Sequence, residues 1–250
     1  MRVIGRLLMV AMMAIVVATP ALAAKRVALV IGNSDYRTLP DLANPVKDAK
    51  AIASQLETIG FDRVVMLSDL DLAAFNAALE AIDRDASGSE VALLYYAGHA
   101  VEIGGEFFVV PVNATLASAE DLQFEAVSLS ALRQHLASTA ARVMIFDSSR
   151  SNPFGKVKLK QAAPVNSYVG ADVMAFATGP GEVAMDDEGG SGHSPFTAAV
   201  MNALERPGLE LKAVFRAIMD EVLQSTEMKQ SPWMSSSGNA ESMILHAAKK

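Results

Sequence analysis

The chain has 250 residues, of which 51% are hydrophobic and 20% are charged, and it contains no cysteine. These proportions are ordinary for a globular protein with a sizeable core, organised as one large domain or two small ones. The formal net charge of -7 argues against a nucleic-acid-binding surface. The lack of cysteine excludes disulfides, a thiol nucleophile and a thiolate metal site.

The first 23 residues have the pattern of a secretory signal peptide. Arg2 and Arg6 form a basic region, Leu7–Ala18 is an apolar run, and Ala21–Ala23 is a small-residue cleavage site. A membrane anchor is the alternative, but the apolar run is short for a membrane span. We predict cleavage after Ala23, a periplasmic or secreted mature protein, and no stable membrane insertion after cleavage.

The mature chain, residues 24–250, begins with alternating strands and helices. Short apolar runs predict buried strands, and apolar residues at helical spacing predict amphipathic helices. The predicted elements are a strand Arg26–Ile31, a helix Val46–Ile59, a strand Val64–Leu67, a helix Asp71–Ala86 and a strand Val91–Ala97. This β-α-β-α-β order is typical of a parallel sheet with helices on its faces.

The second half continues the pattern with longer connections. Its predicted elements are a hairpin turning at Gly104-Gly105, a helix Leu129–Ser138, strands Val143–Phe146 and Val173–Ala177, helices Ser194–Leu204 and Leu209–Leu223, and a last edge strand Met243–Leu245. Gly155–Gly170 is the best candidate linker, and Gly179–His193 is predicted to be a mobile loop.

Two of the predicted strands end in polar side chains. Val91–Ala97 is followed by His99, and Val143–Phe146 is followed by Asp147 and Ser149. Because the carboxyl ends of parallel strands share the edge at which ligands bind, we expect these side chains to converge. Taken alone, His99 is more simply explained as a hydrogen-bonded histidine in a strand-end turn.

A series of motifs resembles the caspase-like peptidase family and, within it, the bacterial metacaspase-like group. In chain order they are V-A-L-V-I-G-N, N-P-V-K-D-A, Y-Y-A-G-H, D-S-S-R-S-N-P-F, A-F-A-T-G-P-G-E-V-A, S-P-F-T-A-A, P-G-L-E-L-K-A-V-F and Q-S-P-W, and the resemblance covers Lys25–Leu245. It implies a three-layer α/β/α sandwich around a six-stranded, mostly parallel sheet whose last strand is antiparallel. It divides the domain into a large-subunit-like part 25–154, a linker 155–170 and a small-subunit-like part 171–246.

The resemblance implies a histidine–cysteine dyad that cleaves peptide bonds through a thiolate. His99 matches the histidine, whereas the cysteine position of the D-[AS]-C-R pattern is occupied by Ser149. A serine hydroxyl is a far weaker acid than a thiol and needs a well-oriented base, which serine hydrolases provide with a buried carboxylate. The family's dyad is not built around such a group, so we expect catalysis to be lost.

Two further parts of the family's site map onto this chain. The resemblance implies an oxyanion hole formed by the backbone N–H groups of Ala100 and Ser149, where the family usually has glycine after the histidine. The methyl group of Ala100 is expected to crowd this hole. An acidic pocket that binds Arg or Lys maps onto Asp48 and Asp147. The alternatives are that Asp48 is a helix first-turn residue favoured by the dipole and that Asp147 is a strand-end hydrogen-bond acceptor.

Three functions follow from these residues. The first is a catalytically inactive, exported relative that binds a peptide or protein partner with basic side chains. The second is an active endopeptidase that cleaves after Arg or Lys with Ser149 and His99, and the third is a structural envelope protein. The presence of Ser149 in place of the cysteine, and of Ala100 in place of the usual glycine, favours the first and third functions over the second. The acidic pocket favours the first function over the third. An inactive site also predicts that the linker stays uncut.

No cofactor and no metal are expected. His135 and His193 are interpreted as incidental, and no metal-ligand spacing is present. The acidic run Asp186–Glu188 leaves calcium dependence open, and the sequence does not decide the oligomeric state.

Overall fold

The computed structural model describes residues 25–154, 172–186, 192–237 and 240–248. The predicted signal peptide and the candidate linker lie outside these residues. The described strands are β1 (Arg26–Gly32), β2 (Arg63–Ser68), β3 (Val91–Ala97), β4 (Ala100–Ile103), β5 (Glu106–Val109), β6 (Val127–Ser128), β7 (Ala141–Asp147), β8 (Asp172–Phe176) and β9 (Trp233–Ser236). The helices are α1 (Pro45–Thr58), α2 (Leu72–Ala86), α3 (Leu122–Glu125), α4 (Leu129–His135), α5 (Pro195–Leu204) and α6 (Leu211–Ser225).

Six strands form one sheet in the order β2-β1-β3-β7-β8-β9, parallel except for β9. This confirms the predicted six-stranded, mostly parallel sheet with an antiparallel last strand. Ala97 pairs with Gly32 on one side and with Asp147 on the other. The carboxyl ends of β1, β3 and β7 are therefore level with one another, and the segments that follow them start from one edge.

Helices cover both faces of this sheet. One face packs against α1, α5 and α6, and the other packs against α2 and α4. All seven residues of β3 are buried, with Leu93 and Tyr95 on the first face and Leu94 and Tyr96 on the second. A strand buried on both faces reads as a continuous apolar run, which is why its position was predictable.

The predicted last strand, Met243–Leu245, is wrong. The sixth strand is β9, which pairs with β8. All four of its residues are half-buried, and this environment accepts the two serines that it contains. Ile244 makes one isolated bridge, to Glu210. Leu245 is instead a core residue, and its carbonyl oxygen accepts a hydrogen bond of 2.6 Å from Nη1 of Arg26 at the start of β1.

The predicted hairpin is confirmed as β4 and β5, which join β6 in a small antiparallel sheet. This sheet packs against Tyr36 in a separate apolar cluster beside the candidate site. No helix in the described part of the chain is long and apolar enough to cross a membrane.

A buried ion-pair cluster joins α4, β7 and β8. Asp172 is 1% exposed, and its carboxylate accepts hydrogen bonds from the guanidinium groups of Arg133 and Arg142. The Nε atom of Arg133 lies 2.8 Å from Oδ2 of Asp172. One carboxylate therefore holds two cations on neighbouring elements.

Candidate active site

A cavity of about 230 Å³ lies at the carboxyl ends of β3 and β7. The structure brings four of the predicted site residues to its wall, namely Asp48, His99, Asp147 and Ser149. Asp186 and Ser194 line it as well. The convergence places these side chains within one ligand-sized space, while their chemical roles stay predictions.

Two tyrosines hold the backbone of His99. Its N–H donates to the hydroxyl of Tyr36 at 2.8 Å, and its carbonyl oxygen accepts from the hydroxyl of Tyr96 at 2.8 Å. The rings of Tyr36 and His99 also pack together, with centroids 4.5 Å apart. Burial raises the pKa of Tyr36 to about 12, so its hydroxyl stays neutral. The turn that carries His99 is thus fixed from both sides.

Gly98 is needed to fit this arrangement. Its φ is 151°, and a Cβ at this position would lie 2.6 Å from the hydroxyl of Tyr36 and 2.7 Å from that of Tyr96. Gly98→Ala is expected to reduce the free energy of unfolding by about 1–3 kcal/mol more than Gly88→Ala, because overpacking costs about that much. Gly88 also has positive φ but has open space around it. Urea unfolding measures both variants, and equal losses would show that the tyrosines yield without cost.

The imidazole of His99 is oriented by a backbone carbonyl. Its Nε2 lies 2.7 Å from the carbonyl oxygen of Pro40. A carbonyl can only accept, so Nε2 carries the proton and Nδ1 of the neutral ring is the basic nitrogen. Within the described residues, no carboxylate is hydrogen-bonded to this ring. The base is therefore oriented, but it lacks the anion that stabilises an imidazolium in serine hydrolases.

Ser149 lies in a turn that is joined to the segment after β8. The N–H of Arg150 donates to the carbonyl oxygen of Glu182 at 2.8 Å, and the N–H of Ala184 donates to Oγ of Ser149 at 3.0 Å. No hydrogen bond joins Ser149 to His99 among the described residues. The hydroxyl is thus placed in the cavity as an acceptor for Ala184 rather than as a donor to the base.

The side chain of Arg150 anchors this turn. It is 1% exposed, its Nε donates to Oε2 of Glu102 at 2.5 Å, and its guanidinium lies over the rings of Phe176 and Trp233 at 4.4 and 4.7 Å. Cation–π contacts of this kind favour a guanidinium that is removed from water. The residue that follows Ser149 is therefore held by Glu102, Phe176 and Trp233, and this fixes the turn that carries Ser149.

Ala100, the predicted oxyanion-hole residue, is the first residue of β4 and pairs with Val109. It is buried, and its side chain belongs to the core cluster on the α2 face. At this point the cavity is lined by Gly98 and His99. The methyl group of Ala100 thus packs into the core. A substitution at this position is therefore expected to affect core packing as well as the site.

Asp48 reaches the cavity because α1 begins against the end of β1. A Cβ on Gly32 would lie 2.3 Å from the carbonyl oxygen of Pro45, so the two backbones are in direct contact. Asp48 lies in the first turn of α1 and is 1% exposed. Its carboxylate accepts from Nδ1 of His193 at 2.6 Å and from the N–H of Ser194 at 3.3 Å.

Asp147 is the second buried carboxylate of the cavity. Its Oδ2 accepts from the hydroxyls of Ser194, Thr197 and Tyr95, the last two at 2.6 and 3.5 Å. Ser194 is also the N-cap of α5, since its Oγ accepts from the N–H of Thr197 at 2.9 Å. A single hydroxyl thus links the start of α5 to the end of β7.

Both carboxyl groups hold their protons more tightly than usual. Burial, followed by the charge of Asp147, raises the pKa of Asp48 to about 7, although His193 opposes this shift. Burial also raises the pKa of Asp147 to about 6, against the hydrogen bonds from Ser194 and Thr197. A cation that enters between these two carboxyl groups stabilises their ionised forms, because it offsets both their burial and their mutual repulsion.

The sequence did not identify several residues of this site. The interpretation of His193 as incidental is wrong, because it is bonded to Asp48. Asp186 was noted for calcium alone, yet it lines the cavity, and its Oδ2 accepts from the N–H of Ala43 at 3.1 Å. Tyr36 and Pro40 orient His99 from a loop with no periodic pattern. The glycine before His99 was the one local signal of a close approach.

Comparisons with known proteins agree with this architecture. The family described as Caspase domain matches residues 25–244. The chain is 39% identical over 97 residues to the human Mucosa-associated lymphoid tissue lymphoma translocation protein 1, a match of 37% of this chain and 11% of that protein. The mouse homolog is 38% identical over 96 residues, with the same coverage. The chain therefore spans a small part of the length of these curated relatives.

A solved structure extends the comparison to the fold. The crystal structure of caspase-1 from Spodoptera frugiperda superposes with a TM-score of 0.63 over 85% of this chain and 86% of that chain, at 16% sequence identity. At that identity the likeness concerns the arrangement of strands and helices alone. Together with the family match over most of its length, it shows that this chain belongs to the caspase domain family.

Proposed function

We propose that this chain is an exported, catalytically inactive caspase-like domain that binds basic peptide or protein segments through the acidic cavity. The observation that carries the proposal is the pairing of Ser149, at the nucleophile position, with a histidine whose imidazole, within the described residues, is hydrogen-bonded to the Pro40 carbonyl and to no carboxylate. A hydroxyl must lose its proton as it attacks, and among the described residues no carboxylate is hydrogen-bonded to the imidazole that would take up this proton. The site therefore lacks a means of activating serine.

The ligand class follows from the charge of the cavity. Asp48, Asp147 and Asp186 all line a space of about 230 Å³. Two of these acids are buried and have raised pKa values, so a cation that enters relieves their desolvation and mutual repulsion. A Lys or Arg side chain carries such a cation at the end of a flexible apolar stem.

Two assays with the same peptides test the proposal. We expect the wild type to show no turnover of fluorogenic peptides that end in Arg, Lys or Asp. We also expect it to bind the Arg-ended peptide, with about 10–100-fold weaker binding in Asp147→Asn, since one charged hydrogen bond is worth about that much. Asp220→Asn, an exposed acid on α6, is the matched control. Absence of binding to any peptide would favour the structural envelope protein.

An active endopeptidase is the second candidate, because His99 and Ser149 do line the same cavity. Turnover by the wild type that disappears in Ser149→Ala would establish it. The proposal predicts in addition that the linker at residues 155–170 stays uncut, which the mass of the purified protein reveals. The same measurement tests export, since the proposal expects an N-terminus at Ala24.

Peptide binding is expected to weaken as the pH falls from 8 to 5.5. A cationic ligand binds the ionised carboxylates, and the pKa values of about 7 for Asp48 and about 6 for Asp147 mean that both take up protons over this range. We expect a loss of at least about ten-fold, since each group costs about a factor of ten per pH unit below its pKa. Titration calorimetry in Asp147→Asn should give a shallower dependence. The other titratable groups around the two acids are His193, Asp186, Tyr95 and His99.

A further inference from the structure

One wall of the cavity is a single stretch of chain that follows β8. Four consecutive residues, 183–186, line the cavity, and we refer to them as the wall segment. They belong to neither a helix nor a strand. Their position is therefore not fixed by helix geometry or by sheet pairing, and it depends on the individual hydrogen bonds that the wall segment makes with its neighbours.

The two ends of the wall segment are tied to other parts of the fold. Just before it, the carbonyl oxygen of Glu182 accepts from the N–H of Arg150 at 2.8 Å. At its far end, Asp186 accepts through Oδ2 from the N–H of Ala43 at 3.1 Å and through its carbonyl oxygen from Nδ2 of Asn44 at 3.2 Å. These contacts fix where the wall segment begins and ends, but they do not hold its middle.

The middle of the wall segment is held by two side chains. The N–H of Ala184 donates to Oγ of Ser149 at 3.0 Å. The N–H of Met185 donates to Oε1 of Gln230 at 2.9 Å. Gln230 is 1% exposed and also donates through Nε2 to the carbonyl oxygen of Ala177 at 3.0 Å, so its removal would disturb the end of β8 as well. Ser149 is therefore the contact that can be removed on its own.

We propose that Ser149 is a positioning residue for ligand binding, because its hydroxyl holds the wall segment where the segment lines the cavity. The inference rests on the proposed function. The residue at the nucleophile position serves the binding site as a hydrogen-bond acceptor and takes no part in bond cleavage. Oxygen suits this role better than sulfur, since a thiol sulfur is only a weak acceptor. Serine is thus a poorer nucleophile than cysteine at this position but a better support for the wall.

Hydrogen exchange of the Ala184 amide, followed by nuclear magnetic resonance, tests the hydrogen bond itself. We expect Ser149→Ala to speed this exchange about three- to ten-fold, because local opening becomes easier by the net worth of about one hydrogen bond. Ser149→Thr keeps the acceptor oxygen and should exchange like the wild type, whereas Ser149→Cys should lie in between. Ser151→Ala, which removes a hydroxyl two residues further along the chain, is the control. Unchanged exchange in Ser149→Ala would overturn the inference.

Peptide affinity tests whether the position of the wall segment matters to the ligand. The probe is an acetylated peptide amide ending in arginine, titrated calorimetrically into each protein. We expect Ser149→Ala to bind it about three- to ten-fold more weakly and Ser151→Ala to bind it within about two-fold of the wild type. Faster exchange with unchanged affinity would overturn the role of Ser149 in binding and leave the proposed function standing. No binding by the wild type would overturn the proposed function and this inference together.

Discussion

Ser149→Cys is expected to confer hydrolysis of Arg- and Lys-ended peptides on a protein that we propose to be inactive. A cysteine thiol has a pKa of about 8.5 and its thiolate is intrinsically nucleophilic, so it needs much less from the base than a hydroxyl does. The base is in place, since the Pro40 carbonyl fixes Nε2 of His99 as the donor and leaves Nδ1 to accept. The acidic cavity adjoins it.

The gain should be limited until Ala100 is changed as well. Because its methyl group packs into the core on the α2 face, Ala100 acts on the site through the backbone that carries its N–H, and we expect Ala100→Gly in the cysteine background to raise turnover by about 10²-fold, the usual worth of an oxyanion donor. Residues that act as one unit are non-additive, so the double variant should exceed the product of the single changes. Turnover of fluorogenic peptides measures all three variants.

Ser148→Cys is the matched control for this series. It adds the same thiol one residue away, at a side chain whose Oγ is buried without a hydrogen-bond partner among the described residues. We expect no turnover from it. If the Ser149→Cys/Ala100→Gly protein is folded but inactive, His99 is not the catalytic base.

Asp172→Ala is expected to have the largest effect on stability. The substitution leaves Arg133 and Arg142, whose side chains are 15% and 14% exposed, without the carboxylate that they share. Breaking a buried pair by removing one partner costs about 3–5 kcal/mol, because the remaining charge is uncompensated. In a domain of this size that corresponds to a fall in Tm of about 10 °C.

The control for this prediction is an ion pair at the surface. Lys229 lies 3.8 Å from Glu227, and both side chains are more than half exposed. Solvent screening makes such pairs nearly neutral for stability, so Lys229→Ala should change Tm by about 1 °C or less. A loss in Asp172→Ala no greater than that in Lys229→Ala would mean that the two arginines find other partners or water.

The sequence predicted the fold well where periodicity and burial coincide. β3 is a continuous apolar run because it is buried on both faces, and α2 was placed by its apolar spacing, with Asp71 as its N-cap. β9 was missed because an edge strand with two serines carries little hydrophobic signal. The apolar Met243–Leu245 was mistaken for it because one-dimensional hydrophobicity does not separate a strand from a core-packed loop.

The site was predictable as far as its residues follow strand ends or match motifs. Asp147 ends β7, Ser149 follows it, and His99 follows β3, so the parallel sheet alone brings them to one edge. The contact of His193 with Asp48 joins residues 145 apart and depends on how α5 docks beside α1. No local pattern encodes such a pair, and it emerges only when the helices are packed.

The hydrogen bond between Arg26 and Leu245 determines where a tether or a fused domain would lie relative to the cavity. It brings the first and last parts of the described chain together at the amino edge of the sheet. The cavity lies at the opposite edge, a seven-residue strand or about 20 Å away. A tether or fused domain joined at either of these two points therefore leaves the cavity facing outward, and domains joined at both points become neighbours of each other.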